Sequence, residues 1–136
     1  MKTYAIAAIP GDGIGPEVVD AGVEVLEAVA KRDGGFTLRV DRFDWGGEYY
    51  KKHGRMMPEN GRDLIRKHDA ILFGSAGHPD IPDHITLWGL RLAICQPFDQ
   101  YANVRPTRVL PGITSPLRAV DGPELDWVIV RENSEG

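Results

Sequence analysis

The sequence predicts an α/β fold with a mainly parallel sheet and flanking helices, and three observations carry that prediction. A short apolar run enters a glycine-rich turn and leaves it as a helix-period pattern. Two more β-type runs follow, each separated from the last by helical spacing. Strands that alternate with helices are joined by crossovers, and crossovers make parallel sheets. Composition agrees with one globular body of about this size: 136 residues, 42% hydrophobic and 26% charged.

Tyr4 to Ile9 is the first apolar run, stopped by Pro10. From Pro16 to Lys31, Val18, Val19, Val23, Leu26, Val29 and Ala30 recur at spacings of three and four, which predicts an amphipathic helix. Pro16 suits its first turn, where a missing N–H costs nothing, and Glu17 complements the positive end of the helix dipole. Gly34 and Gly35 stop it. Phe36 to Phe43 alternates Phe36, Leu38 and Val40 with polar residues, a half-buried strand. Glu48 to His53 and Glu59 to Lys67 read as short helices, and Ala70 to Phe73 as a strand buried on both faces. A Pro- and His-rich loop, "HPDIPDH", precedes a helix expected from about Thr86 to Phe98. "YANVRPTRVLPGITSPL" reads as extended backbone because prolines recur at 106, 111 and 116. "LDWVIVREN" is a final strand; with no helix after it to cover it, the chain reads as part of a larger protein.

Charge and cysteine content narrow the function. Sixteen Lys and Arg against 20 Asp and Glu give a net charge of −4, which offers no general attraction to nucleic acid or to an anionic membrane. No apolar run reaches the roughly 18 residues a membrane span needs. One cysteine, Cys95, excludes an internal disulfide framework and a Cys-rich zinc site, and the N-terminal apolar run is too short for a signal peptide. A reducing cytoplasm and a small-molecule or protein partner are therefore expected.

The turn "GDGIGPE" at 11–17 invites comparison with the dinucleotide fingerprint Gly-x-Gly-x-x-Gly. Pro16 stands where the third glycine belongs, and the acidic residue about twenty positions on, Asp33, falls at a helix end instead of after a second strand. The Rossmann reading fails on spacing. A tight turn whose glycines supply positive φ angles, or a different ligand-binding loop, stays open.

Four separated motifs resemble one family. "GDGIGPE" (11–17), "FGSAG" (73–77), "DQYANVRP" (99–106) and "VIVRENSEG" (128–136) are similar, in order and approximate spacing, to the marks of the β-decarboxylating dehydrogenases, the isocitrate/isopropylmalate dehydrogenase family. "FDWGGEYYKKHGRMMPE" and "PDHITLWG" are most similar to its tartrate or D-malate dehydrogenase-like branch. The resemblance implies an isopropylmalate dehydrogenase-like fold, not a Rossmann one, in a truncated N-terminal fragment of a subunit more than twice as long. Residues 1–100 would be the first half of the large domain, and 101–136 the start of a smaller, dimer-forming domain. A homodimer is implied for the full-length protein.

The implied reaction takes hydride from C2 of a small 2-hydroxy dicarboxylate to NAD. Mg2+ or Mn2+ at the C2 oxygen then takes up the enolate charge as CO2 leaves. The far carboxylate needs a grip, and arginine's planar, permanently charged guanidinium provides a bidentate one. Arg105 in "NVRP" and Arg131 in "VIVREN" match two substrate-binding arginines of the family. A third is expected ten residues before Arg105, where this sequence has Cys95; Arg91, one helical turn upstream, is the candidate to replace it. The loop "HPDIPDHITLW" matches the segment bordering the nicotinamide, which makes His78, Thr86 and Trp88 the cofactor candidates. The family's tyrosine, lysine and metal-binding aspartates come later than residue 136, so no catalytic residue and no metal ligand is assigned in this chain, and the chain alone is expected to be inactive. Two alternatives stay open: 3-isopropylmalate dehydrogenase, which an arginine near the C3 pocket argues against, and a catalytically silent truncated or assembly domain.

Overall fold

The computed structural model describes residues 1–117 and 125–133, and the chain forms two compact units, Met1–Ile94 and Cys95–Gly136. In the first unit, β1 (Lys2–Gly11), β2 (Phe36–Arg42) and β3 (Ala70–Ser75) form a sheet in the order β2-β1-β3, parallel throughout. The central place of β1 explains its composition. Ala7, Ala8 and Ile9 are buried between neighbours on both sides, and small side chains let helix and sheet approach.

α1 (Gly15–Asp33) makes the β1-to-β2 crossover and packs on the sheet through Val19 and Ala30, with Gly22 lying against Leu72. It ends at Gly34, whose left-handed backbone (φ +72°) lets its N–H return to the Ala30 carbonyl. The β2-to-β3 crossover carries α2 (Gly47–His53) and α3 (Gly61–Ile65), with Trp45, Met56 and Ile65 buried around them. At the end of β2, Arg42 bonds both Asp20 of α1 and Asp44; those two carboxylates, Asp44 first, raise the guanidinium's affinity for its proton.

Three boundaries differ from the sequence expectation. β1 continues through Pro10 to Gly11, because pairing with β3 skips the proline: Ile9 faces Phe73 and Gly11 faces Ser75. α3 is shorter than Glu59 to Lys67. The helix expected from Thr86 to Phe98 begins instead at Asp83 and ends at Cys95. It is built as α4 (Asp83–Thr86), a π turn (Leu87–Arg91) and α5 (Leu92–Cys95). The Leu92 N–H bonds the Leu87 carbonyl five residues back, so this turn holds one residue more than an α-turn. Thr86, Leu90 and Ile94 are the buried positions of the whole Asp83–Cys95 segment.

In the second unit, β4 (Ala102–Arg108) and β5 (Asp126–Glu132) pair antiparallel, with Asn103 opposite Arg131, Arg105 opposite Ile129 and Pro106 opposite Val128. The expected extended backbone from Tyr101 is thus a paired strand up to Arg108. Residues 118–124 lie outside the described residues, as do the last three residues, 134–136, of the "VIVRENSEG" motif.

Candidate functional site

The glycine-rich turn is a backbone joint. A Cβ at Gly11 would fall on the Ser75 carbonyl oxygen, and one at Gly15 on the Pro10 carbonyl oxygen, so at these two positions main chain packs on main chain and a side chain has no room. Between them Asp12 is 4% exposed and acts as a hub. Its carboxylate accepts the Gly47 N–H at 2.6 Å and the Gly77 N–H at 3.1 Å. Its own N–H donates to the Ser75 carbonyl at 2.8 Å, and its carbonyl accepts the Gly15 N–H at 2.8 Å and the Ser75 hydroxyl. One residue thereby joins the end of β1 to the start of α2 and the loop at Gly77 through its side chain, and to the end of β3 through its main chain. The positive φ angles of Gly11 and Gly13 make this a tight turn, with close backbone approach added. The sequence clue was an aspartate flanked by glycines in a strand-to-helix turn, where backbone donors converge.

The cofactor candidates occupy three different environments. His78 has a side chain 14% exposed, with its ring against Gly47. Its Nδ1 accepts the Asp80 N–H at 3.1 Å, which leaves Nε2 as the donor to Glu48 Oε1 at 3.3 Å. Lys51 binds Glu48 at 3.3 Å and Asp80 at 3.1 Å. Its ammonium is the first cause, and His78 a lesser one, that holds the Glu48 carboxyl below the ordinary range; Asp80 leads in raising Lys51. Thr86 is fully buried, with its hydroxyl donated to the Asp83 carbonyl at 3.2 Å. Trp88, in the π turn, is 61% exposed. His78 and Thr86 are thus engaged within the protein, whereas the Trp88 indole faces outward.

The arginines divide between the units. Arg91 closes the π turn of the first unit and is half-buried. Arg105 and Arg131 share the ribbon of the second. Facing residues of an antiparallel pair project to one side, as do residues two apart on one strand. Arg131 faces Asn103, and Arg105 lies two positions along from Asn103, so both arginines and the asparagine stand on one face as diagonal neighbours. Such neighbours have Cα atoms about 7–8 Å apart, within reach of two long side chains converging on one small anion. Asn103 lies between them, and its Oδ1 accepts the Arg105 Nε–H at 2.7 Å, leaving the outer edge of that guanidinium to face solvent. Sequence reasoning did not single out Asn103; the period of two in "NVR" was the available signal. Among the described residues, no group of three or more His, Cys, Asp or Glu is placed to hold a metal ion, and no helix is long and apolar enough to cross a membrane.

The chain is similar to several known dehydrogenases. It is 67% identical over 136 residues to a probable tartrate dehydrogenase/decarboxylase of Agrobacterium vitis, covering 100% of this chain and 38% of that one. It is 49% identical over 138 aligned residues to the decarboxylating D-malate dehydrogenase of Escherichia coli strain K12, with the same coverage. The apo crystal structure of a β-decarboxylating dehydrogenase from Thermococcus kodakarensis superposes with a TM-score of 0.67 at 37% identity, over 98% of this chain and 35% of that one. The chain therefore spans a little over a third of the length of these relatives. The model of the isocitrate/isopropylmalate dehydrogenase family matches residues 5–136, and with a parallel sheet, a joint at "GDGIGPE" and paired arginines in its last two strands, the chain belongs to that family.

Proposed function

We propose that the protein carrying this chain is a metal-dependent, NAD-linked dehydrogenase and oxidative decarboxylase of a small 2-hydroxy dicarboxylate, of tartrate or D-malate type. The placement of Arg105 and Arg131 on one face of the β4–β5 ribbon carries the reading. In a family whose members oxidise such acids, two neighbouring guanidinium groups with one Nε held by an amide suit the non-reacting carboxylate. They orient the diacid and stay charged at any working pH. NAD, when bound, accepts the C2 hydride. Arg91 is the candidate third contact, and Trp88, Thr86 and the His78 loop form the cofactor side. The Mg2+ or Mn2+ ligands are assigned outside this chain. Residues 1–100 then belong to a large domain and 101–136 to a dimer-forming one, in a cytoplasmic homodimer.

The test is a screen of the protein expressed from its complete reading frame with Mn2+, NAD or NADP, and tartrate, D-malate or 3-isopropylmalate. Turnover of tartrate or D-malate is expected. Arg105→Ala and Arg131→Ala should each raise the diacid KM on the order of tenfold to a hundredfold, because a lost bond to a charged carboxylate costs about 1.5–3 kcal/mol. Lysine at either place should recover only part of the loss. Preference for 3-isopropylmalate moves the assignment to that branch, and absence of turnover with every pair assigns a silent or assembly role.

A further inference from the structure

We propose that His78 is a positioning residue: Glu48 acts through it, and Asp12 acts beside it on the Gly77 N–H, to hold the 77–81 loop in one conformation on α2. That this loop serves a cofactor rests on the functional reading above; that it is locked rests on geometry alone. Both imidazole nitrogens are already committed within the protein. Nδ1 accepts the Asp80 N–H, so the ring proton sits on Nε2 and is donated to Glu48. One part of the ring lies so close to Gly47 that a Cβ there would be 2.6 Å from Cδ2. Neither ring nitrogen of His78 is left to bond a ligand without breaking one of these contacts. The side chain is thus arranged to fasten its own loop, and what it presents to a neighbour is the loop's main chain.

The fastening is doubled. At its root, Asp12 takes N–H groups from both α2 (Gly47) and the loop (Gly77), so the two segments cannot separate without exposing a buried carboxylate. At its tip, Glu48 holds His78, and Lys51 joins Glu48 to Asp80 from the solvent side. The Ile81 N–H, bonded to the His78 carbonyl at 3.0 Å, closes the turn between them. A loop ordered beforehand spares a ligand the entropy of ordering it, so the effect belongs in ligand affinity and not in the rate of the chemical step.

The experiment compares Glu48→Ala, Glu48→Gln, His78→Ala and the Glu48→Ala/His78→Ala double variant in the protein expressed from its complete reading frame. Hydrogen exchange without any ligand reads the lock. Gly77 and Ile81 amides should exchange on the order of tenfold faster in both alanine variants. Glu48→Gln, which keeps an acceptor for Nε2–H, should remain near the parent. Steady-state kinetics reads the consequence: the KM for NAD should rise about threefold to tenfold in each alanine variant, with kcat and the diacid KM within about twofold. The double variant should be no worse than the single ones, because both remove the same fastening. Unchanged exchange in Glu48→Ala overturns the lock. A His78→Ala loss far beyond that of Glu48→Ala, adding fully in the double variant, overturns positioning and makes His78 a direct ligand. A parent that binds neither NAD nor NADP overturns the functional reading, and the exchange rates still decide the lock.

Discussion

Replacing Gly11 by alanine separates two reasons for a glycine that usually travel together. Gly11 and Gly34 have nearly the same backbone, φ +70° and +72°, so an alanine at either bears the same left-handed penalty of about 1–2 kcal/mol. Part of that is offset by the stiffer unfolded chain, worth about 0.4–1 kcal/mol. At Gly34 the new methyl meets nothing within 4 Å. At Gly11 it lands on the Ser75 carbonyl, 3.0 Å from its carbon, and rotation cannot relieve contact with main chain. β1 and β3 must part there, at an overpacking cost of about 1–3 kcal/mol. The Asp12-to-Ser75 backbone bond is strained with them, worth about 1 kcal/mol. Gly34→Ala should therefore cost about 0.5–1 kcal/mol and Gly11→Ala about 3–5 kcal/mol. In equilibrium urea unfolding, with a slope near 2 kcal/mol per M, the two midpoints should differ by roughly 1–2 M. Equal midpoint shifts for the two variants refute the claim that close backbone approach governs the "GDGIGPE" turn.

The remaining predictions concern pH, the core and activity. His68, first, and Arg39, more weakly, hold the Asp41 carboxyl below its ordinary value, with the His68 Nε2 at 2.9 Å. A folded-state value below the unfolded one contributes stability that is present above about pH 3.9 and is lost as pH falls through the lower folded value. The stability gap between parent and Asp41→Asn should accordingly close as pH falls below about 3.9, which urea midpoints across an acidic pH series will read. Leu90→Ala empties a fully buried site in the π turn and should cost about 2–5 kcal/mol by the same assay. The 136-residue chain purified alone should give no NAD reduction with Mn2+ and any 2-hydroxy diacid, measured by absorbance, because the acid-base residues of the reading above are not among its own.

Periodicity revealed those parts of the fold whose physics is local. The stripe from Val18 to Ala30 gave α1, the alternation from Phe36 gave β2, and the apolar run at Ala70 gave β3, because burial on a regular element leaves its period in the sequence. What escaped were features fixed by distant partners. Pro10 looks like a strand terminator until the register with β3 shows that its missing N–H is not needed. The π turn leaves a helical pattern only slightly out of phase. Arg105 and Arg131 stood out through a resemblance between motifs, but their shared face follows only from the pairing of β4 with β5, and Asn103 matters only once that pairing places it between them. The setting of Asp12 between glycines in a strand-to-helix turn was a clue, but its carboxylate's partners lie 35 and 65 residues away and follow only from the fold.

The π turn at Leu87–Arg91 also bears on which changes in chain length this protein can absorb. A deletion inside a regular helix rotates everything beyond it by about 100°, moving buried side chains to the outside. Here the extra residue is already held as a local bulge, so removing one residue between Leu87 and Arg91 would relax the segment toward ordinary α-helix. Asp83–Thr86 and Leu92–Cys95 would keep their faces. Variants one residue shorter in this stretch are thus expected to retain the fold while changing which side chain, Trp88 or a neighbour, crowns the helix.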